Sequence, residues 1–367
     1  MSASPREDAR AIWSAAVAAV DPAHLVREAL ARAPLPAAPR LIVVGAGKAG
    51  AAMAAGLEAA LPDRLDRITG LVNVPAGTQA ALSRVRLHAA RPAGVNEPTA
   101  AGVAGAEEML HLLASAGPDD VAVCLLSGGG SALLPAPADG ITLADKLAVT
   151  RLLHRSGATI DEMNCVRKHL SRVKGGRLAA AFHGKLFVTL IVSDVVGDPL
   201  DVIASGPTAP DPTTFADATA VLARYGLIER VPASVNALLA RGESETLKEL
   251  PPHVMNHVIG SNRLALDAAA RIAEARGYRV LDLGAFVEGE TAAVATAVAG
   301  VVRSIRRDAK PLPPPACVLI GGETTVTLGE TPGRGGRNQE FVLALMQKLA
   351  ATPGGLAGVT VLSGGTD

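Results

Sequence analysis

The sequence predicts an α/β protein, an open, doubly wound parallel sheet followed by a smaller C-terminal α/β domain. Three observations carry that expectation. Short, continuous, β-branched runs alternate with helix-period segments. Two glycine-rich turns directly follow such runs, where open α/β sheets bind ligands. A polar stretch ending in Pro251-Pro252 then separates this region from a second strand–helix series. The expected domains are 1–245 and 253–367.

The elements follow in chain order. Residues 12–20 are apolar behind Arg6 and Arg10, but Glu7 and Asp8 lie in the leading segment. The pattern continues past Asp21 to Leu30, so an amphipathic helix is expected rather than a secretory signal. Strands are expected at 41–44, 69–74, 121–126 and 187–192. Helices are expected at 48–60, 100–114, 143–156 and 160–170. In the second series the expected order is strand 257–259, helix 261–276, strand 278–283 and helix 291–307. A proline-rich linker at 311–315 follows, then a strand from Cys317, a Thr-rich strand, a glycine-rich loop and a helix starting near Asn338. A last strand is expected at 359–362.

Composition removes several function classes. Charge is balanced, with 35 basic and 35 acidic residues. No basic block argues for nucleic acid, and no apolar run reaches the length of a membrane span. Aromatic residues make up only 2%, so the core must be aliphatic. The three cysteines, Cys124, Cys165 and Cys317, show no metal-ligand spacing. An odd number of mostly buried thiols fits a reducing cytoplasm. A homo-oligomer is left open.

Four segments could carry chemistry. Gly45-Ala46-Gly47-Lys48-Ala49-Gly50 continues the first strand into a G-x-G-x-x-G turn. A dinucleotide site is one reading. Against it, the next strand ends in Asn73-Val74-Pro75, without an acid for a ribose hydroxyl, and Lys48 sits inside the turn. Small-anion or phosphoryl binding and a purely structural turn are the other readings. Ser127-Gly128-Gly129-Gly130-Ser131 ends the third strand and offers backbone amides and two hydroxyls to an anion. Asp194 follows the fourth strand, as acids that hold Mg²⁺ or substrate do in nucleotide enzymes. Finally, Gly321-Gly322-Glu323 leads to Arg334, Arg337 and Asn338. Glycines allow close backbone approach, and arginine forks match phosphate or carboxylate oxygens. Arg167, Lys168, Lys174 and Arg177 form a further basic cluster: Arg167 and Ser171 share a helix face and Lys174-Gly175-Gly176 ends that helix beside the site, or the cluster is a charged solvated face; His169 is expected at the surface or as a cap.

These motifs resemble the bacterial and archaeal glycerate 2-kinases with a C-terminal MOFRL domain. The resemblance rests on VVGAGKAGAAMA, LLSGGGSALL, IDEMNCVRKHLSRVKGGRLA, SDVVGDPLDVIASGPTAPDPTTFADA, IGSNRLAL and GGETTVTLGETPGRGGRNQEF. It implies a Rossmann-like first domain, a smaller α/β second domain and a site in the cleft between them. It implies transfer of the γ-phosphate of ATP to the 2-hydroxyl of D-glycerate, with Mg²⁺ or another divalent ion. Lys48 and Arg337 would hold the reacting phosphate or the substrate carboxylate. Asp194 would orient metal or substrate. Gly45, Gly47, Ser127, Gly128, Gly129, Gly130, Ser131, Glu323, Arg334 and Asn338 would line the site. Some relatives carry a hydroxypyruvate reductase label, so an NAD(P)H-dependent reductase is the alternative. Two departures stand out. The family's Gly-His-Pro-x-Pro turn reads Ala90-Arg91-Pro92-Ala93-Gly94 here, which implies either an altered substrate choice or simply a variable loop. The family also continues past Thr366-Asp367, so a shortened second domain is expected.

Overall fold

The computed structural model describes residues 4–328 and 333–365, and its contacts divide the chain into two compact units. One comprises 22–260; the other joins 1–21 to 261–367. The chain opens with α1 (Pro5–Ala19). The Ser4 hydroxyl accepts from the Glu7 amide, and the Glu7 carboxylate accepts from the Ser4 amide. That reciprocal pair caps the helix start.

The unit 22–260 is built on one six-stranded, all-parallel sheet. Its strands are β1 (Leu41–Ala46), β2 (Ile68–Pro75), β3 (Val85–Arg91), β4 (Val121–Ser127), β5 (Leu186–Val192) and β6 (Val254–Gly260). They lie in the order β3-β2-β1-β4-β5-β6. Ile42, Val44, Cys124, Leu126, Phe187 and Ile191 belong to one apolar cluster. Leu41, Val43, Val121, Val123, Leu125 and Leu190 belong to another. Alternate residues thus serve opposite faces, which is why the strands read as unbroken apolar runs. Helix α2 (Pro22–Arg32) precedes β1, α3 (Gly50–Ala60) joins β1 to β2, and α4 (Ala100–Ala114) joins β3 to β4. After β4 come the single turn α5 (Gly130–Leu133), α6 (Leu143–Arg155), α7 (Ile160–His169) and the short α8 (Arg177–Ala180). Helices α9 (Phe215–Arg224) and α10 (Ala233–Arg241) share an apolar cluster with α6 and α7.

In this order the chain winds outward from β1 to β3 and then returns to β4. Strands β1 and β4 are therefore neighbours at the point where the winding reverses. The loops leaving their carboxyl ends face each other there, the usual ligand position in such sheets.

The second unit contains α1, α11 (Asn262–Ala275), β7 (Arg279–Asp282), β8 (Val287–Glu290), α12 (Thr291–Asp308), β9 (Ala316–Leu319), β10 (Gly322–Thr325) and α13 (Arg337–Ala350). Strand β7 pairs with β9, and β8 with β10, both in parallel.

The fold differs from expectation at four places. The strand expected to open the second series is β6, which pairs with β5 as the edge of the large sheet. The first helix belongs with the C-terminal unit, because Ile12 and Ala16 pack on Ala269 and Ala273. Strands β3 and β8 were not expected; β3 carries Arg86 and His88 at a sheet edge and lacks a continuous apolar run. Residues 359–362 form no strand, although Val359 and Val361 pack on the cluster shared by α12 and α13. Thr366 and Asp367, expected beyond that strand, lie outside the described residues.

Candidate active site

The turn after β1 is closed on the protein. The Gly47 amide donates to the Asn73 carbonyl at 3.1 Å and the Lys48 amide to the Gly128 carbonyl at 2.9 Å. The Ala49 amide donates to Ser127 Oγ at 3.1 Å and the Gly50 amide to the Gly47 carbonyl at 3.2 Å. Helix α3 starts at Gly50, not at Lys48 as expected. A Cβ on Gly47 would lie 2.0 Å from Ser127 Oγ, so the two glycine loops meet with no room for a side chain. Four amides that would cradle a pyrophosphate in a dinucleotide fold are thus occupied, two by the end of β4 and the loop after it, one by β2 and one within the turn.

The end of β2 is closed as well. Asn73 is fully buried, and its Nδ2 donates to the Gly102 and Leu133 carbonyls at 3.2 and 2.7 Å. A Cβ on Gly105 of α4 would lie 2.1 Å from Asn73 Oδ1. The position where an acid would grip a ribose is an asparagine sealed beneath a helix.

What the loops do present is charge. A Cβ on Gly129 would lie 3.5 Å from Lys48 Cγ and 3.1 Å from Arg91 Nη2. A Cβ on Gly128 would lie 2.2 Å from Asp194 Oδ2. Lys48, Arg91 and Asp194 therefore gather over the loop that follows β4. The backbone N–H groups of Gly128 and Gly129 donate to no acceptor among the described residues. Gly129 is left-handed, with φ of 75°. Of the expected residues, Gly45 serves packing: its missing Cβ lets β1 approach β4, since a Cβ there would lie 2.3 Å from the Leu125 carbonyl oxygen.

Ser131 sits in a network that sequence alone did not reveal. Arg167 donates to its Oγ. Lys174 Nζ donates to its Oγ and carbonyl at 2.9 and 3.2 Å, and to the Ala204 carbonyl at 3.0 Å. Ser205 Oγ lies 3.0 Å from Ser131 Oγ and donates to Asn164 Oδ1 at 3.1 Å. Ala204 and Ser205 have φ of 52° and 63°, a conformation costly for residues with a Cβ. That strain lies directly beneath the loop, where a Cβ on Gly130 would meet the Ala204 methyl at 3.0 Å.

The basic cluster of α7 and the following turn is not a solvated face. Lys168 and Lys174 are each 2% exposed. Lys168 pairs with Asp201 at 3.0 Å and Asp211 at 3.2 Å. Burial, and then Arg167, Lys146 and Lys168, push the Lys174 ammonium well below its ordinary pKa, while its three acceptors oppose that shift. Lys146 of α6 is buried with no partner for Nζ. Burial first, and then Arg167 and Arg177, lower its pKa to about 7. His169 is also buried, against expectation. Its Nδ1 meets the Cys165 carbonyl at 2.7 Å and its Nε2 meets Glu245 at 3.2 Å.

In the second unit, Glu323 of β10 accepts from Arg337, the first residue of α13. Asn338 Oδ1 accepts from Ser363 Oγ at 2.8 Å. Arg334 is exposed. Residues 329–332 of its loop lie outside the described residues. Among the described residues there is no group of three or more His, Cys, Asp or Glu placed to hold a metal. Asp194 offers a single carboxylate. That fits a Mg²⁺ held mainly by phosphate oxygens and water.

Comparison with known proteins identifies the family. Residues 8–240 match a family profile described as a domain of unknown function (DUF4147), and residues 316–367 match the MOFRL family. The chain is 41% identical to a glycerate 2-kinase of Pyrococcus horikoshii, over 85% of this chain and 70% of that protein. It is 44% identical to an Agrobacterium vitis protein provisionally named a hydroxypyruvate reductase, over 99% of this chain and 80% of that protein. The crystal structure of a Thermotoga maritima glycerate kinase superimposes with a TM-score of 0.84 at 34% identity, covering 95% of this chain and 81% of that one. The chain belongs to the glycerate kinase family with a C-terminal MOFRL domain.

Proposed function

We propose that the protein transfers the γ-phosphoryl group of ATP to the 2-hydroxyl of D-glycerate, giving 2-phosphoglycerate and ADP. The observation that carries this over a reductase is the closed turn after β1, whose amides are occupied while Lys48 and Asp194 gather at the loop after β4. Its kinase relatives supply the phosphoryl donor and acceptor.

In this reading the hydroxyl oxygen attacks the γ-phosphorus, the bond to the ADP oxygen breaks, and the hydroxyl proton is released to solvent. Such a transition state spreads negative charge over the transferring oxygens, so fixed positive groups lower its energy. Lys48, beside Gly129, supplies one. Ser127, Gly47 and Gly45 hold the two loops together, and Gly130 and Ser131 anchor the second loop to α7. Asp194 would hold Mg²⁺ or another divalent ion, which would neutralise phosphate charge. In the second unit, Arg337, Arg334 and Asn338 are proposed to bind phosphate oxygens, with Glu323 orienting Arg337.

The test is product identification from D-glycerate, ATP and Mg²⁺ by ³¹P NMR. A 2-phosphate ester with stoichiometric ADP is expected, and Lys48→Ala should lower turnover by about 10² or more. NADH oxidation by hydroxypyruvate without ADP formation from glycerate would overturn the reading.

A further inference from the structure

Arg91 ends β3 and is 5% exposed. Its Nε is buried without an acceptor. No hydrogen bond or ion pair engages its guanidinium among the described residues. Every other strongly buried cation of this unit except Lys146 is answered: Lys168 by two aspartates, Lys174 by three oxygens. Lys146 reaches neutrality near pH 7, but an arginine does not lose its charge. An unanswered guanidinium in this position is costly to the unliganded fold. Its tip nonetheless approaches the loop: a Cβ on Gly129 would stand 3.1 Å from Nη2, beside the Lys48 side chain. The neighbouring amides of Gly128 and Gly129 are also without protein acceptors.

We infer that Arg91, with the amides of Gly128 and Gly129, binds the carboxylate of the acceptor substrate. The assignment rests on the kinase reading for the identity of that substrate. A carboxylate offers two coplanar oxygens, which a guanidinium fork matches bidentately. The surroundings favour a small anion over a polyphosphate. Arg91 is almost fully enclosed, which suits a small group at its tip rather than a polyphosphate chain. Arg91 thereby makes the enzyme select a hydroxy acid over an uncharged polyol, and it places the acceptor beside Lys48.

Melting temperatures of the full chain and its Arg91→Met and Arg91→Lys variants separate this role from a structural one. Each is measured alone, with D-glycerate, with glycerol and with ATP·Mg²⁺. D-Glycerate should raise the wild-type melting temperature and glycerol should not, because only a ligand bound to the native state stabilises it. Arg91→Met without ligand should melt higher, by about 2–4 °C for each kcal/mol of relieved charge burial. It should lose the glycerate response and keep the ATP response. Arg91→Lys should keep a weakened glycerate response, and its KM for glycerate should rise at least about tenfold with that for ATP within twofold. A lower melting temperature for Arg91→Met with the glycerate response intact would make Arg91 structural and overturn the assignment. So would loss of the ATP response alone, which would place a phosphate on Arg91, or a wild type that does not respond to glycerate. If the wild type responds to glycerate through Arg91 but forms no ADP, the carboxylate site stands and the kinase reading falls.

Discussion

Lys146 is a lysine that folding places among other cations, with its Nζ buried and without an acceptor. Its folded pKa, lowered by burial and then by Arg167 and Arg177, is about 7, against an ordinary value of 10.5. Between those values the unfolded chain binds the proton and the folded chain does not. Stability from this group therefore rises with pH from about 7 to about 10.5, and the buried charge is a full penalty below that window. Replacing Lys146 with Met should stabilise the protein most near pH 6, and the gain should shrink toward pH 9. Urea unfolding of both proteins at three pH values measures it. A variant less stable than wild type at pH 6 would mean that the ammonium has a compensating partner. Residues of this kind were the least legible in the sequence. Lys168 and Lys174 read either as a site-side cluster or as a solvated face, and His169 as surface or cap; only their tertiary partners reveal all three as buried.

At the scale of single elements, the two glycine loops were legible because their chemistry is local. Glycines after an apolar run must turn the chain at the sheet edge, and the spacing alone locates them. Their mutual contact was not legible, since β1 and β4 are separated by two strands, α3 and α4. The glycines themselves have different duties. A Cβ on Gly45 would strike the Leu125 backbone, with its oxygen at 2.3 Å and its nitrogen at 3.0 Å. Backbone within a buried sheet has nowhere to go. A Cβ on Gly128 would strike only the Asp194 carboxylate, the far end of an exposed side chain rather than backbone. Gly45→Ala should therefore destabilise the fold by about 1–3 kcal/mol. Gly128→Ala should leave stability within about 0.5 kcal/mol, yet displace Asp194 and reduce glycerate phosphorylation at least tenfold. Denaturant unfolding paired with steady-state kinetics checks both. Equal stability losses for the two variants would refute the distinction.

For the whole molecule, the parallel sheet and the alternation of strand and helix were readable from apolar periodicity, whereas the strand order and the division of the chain were not. The polar stretch before Pro251-Pro252 looks like a boundary, but β6 lies beyond it and completes the large sheet. The N-terminal helix has no sequence mark that assigns it to the far end of the chain. Its apolar stripe needs a partner, and α11 supplies one: Ile12 and Ala16 cover Ala269 and Ala273. Polar contacts hold the same join. Asp8 accepts from Arg276 and, at 2.8 Å, from the Tyr278 hydroxyl, which lowers its pKa below the ordinary carboxylate range. Trp13 packs so closely on Gly364 that a Cβ there would lie 2.7 Å from its ring. The unit that keeps its whole core within 22–260 should therefore fold alone and melt cooperatively. The fragment 261–367 should not, because its α11 face and its Arg276–Tyr278 pair are left open to water. Adding a peptide of residues 1–21 should restore structure to it, seen as new amide dispersion in an NMR titration and a cooperative melt by circular dichroism. If 261–367 melts cooperatively at the same temperature with and without that peptide, α1 is an accessory to the second unit rather than part of its core.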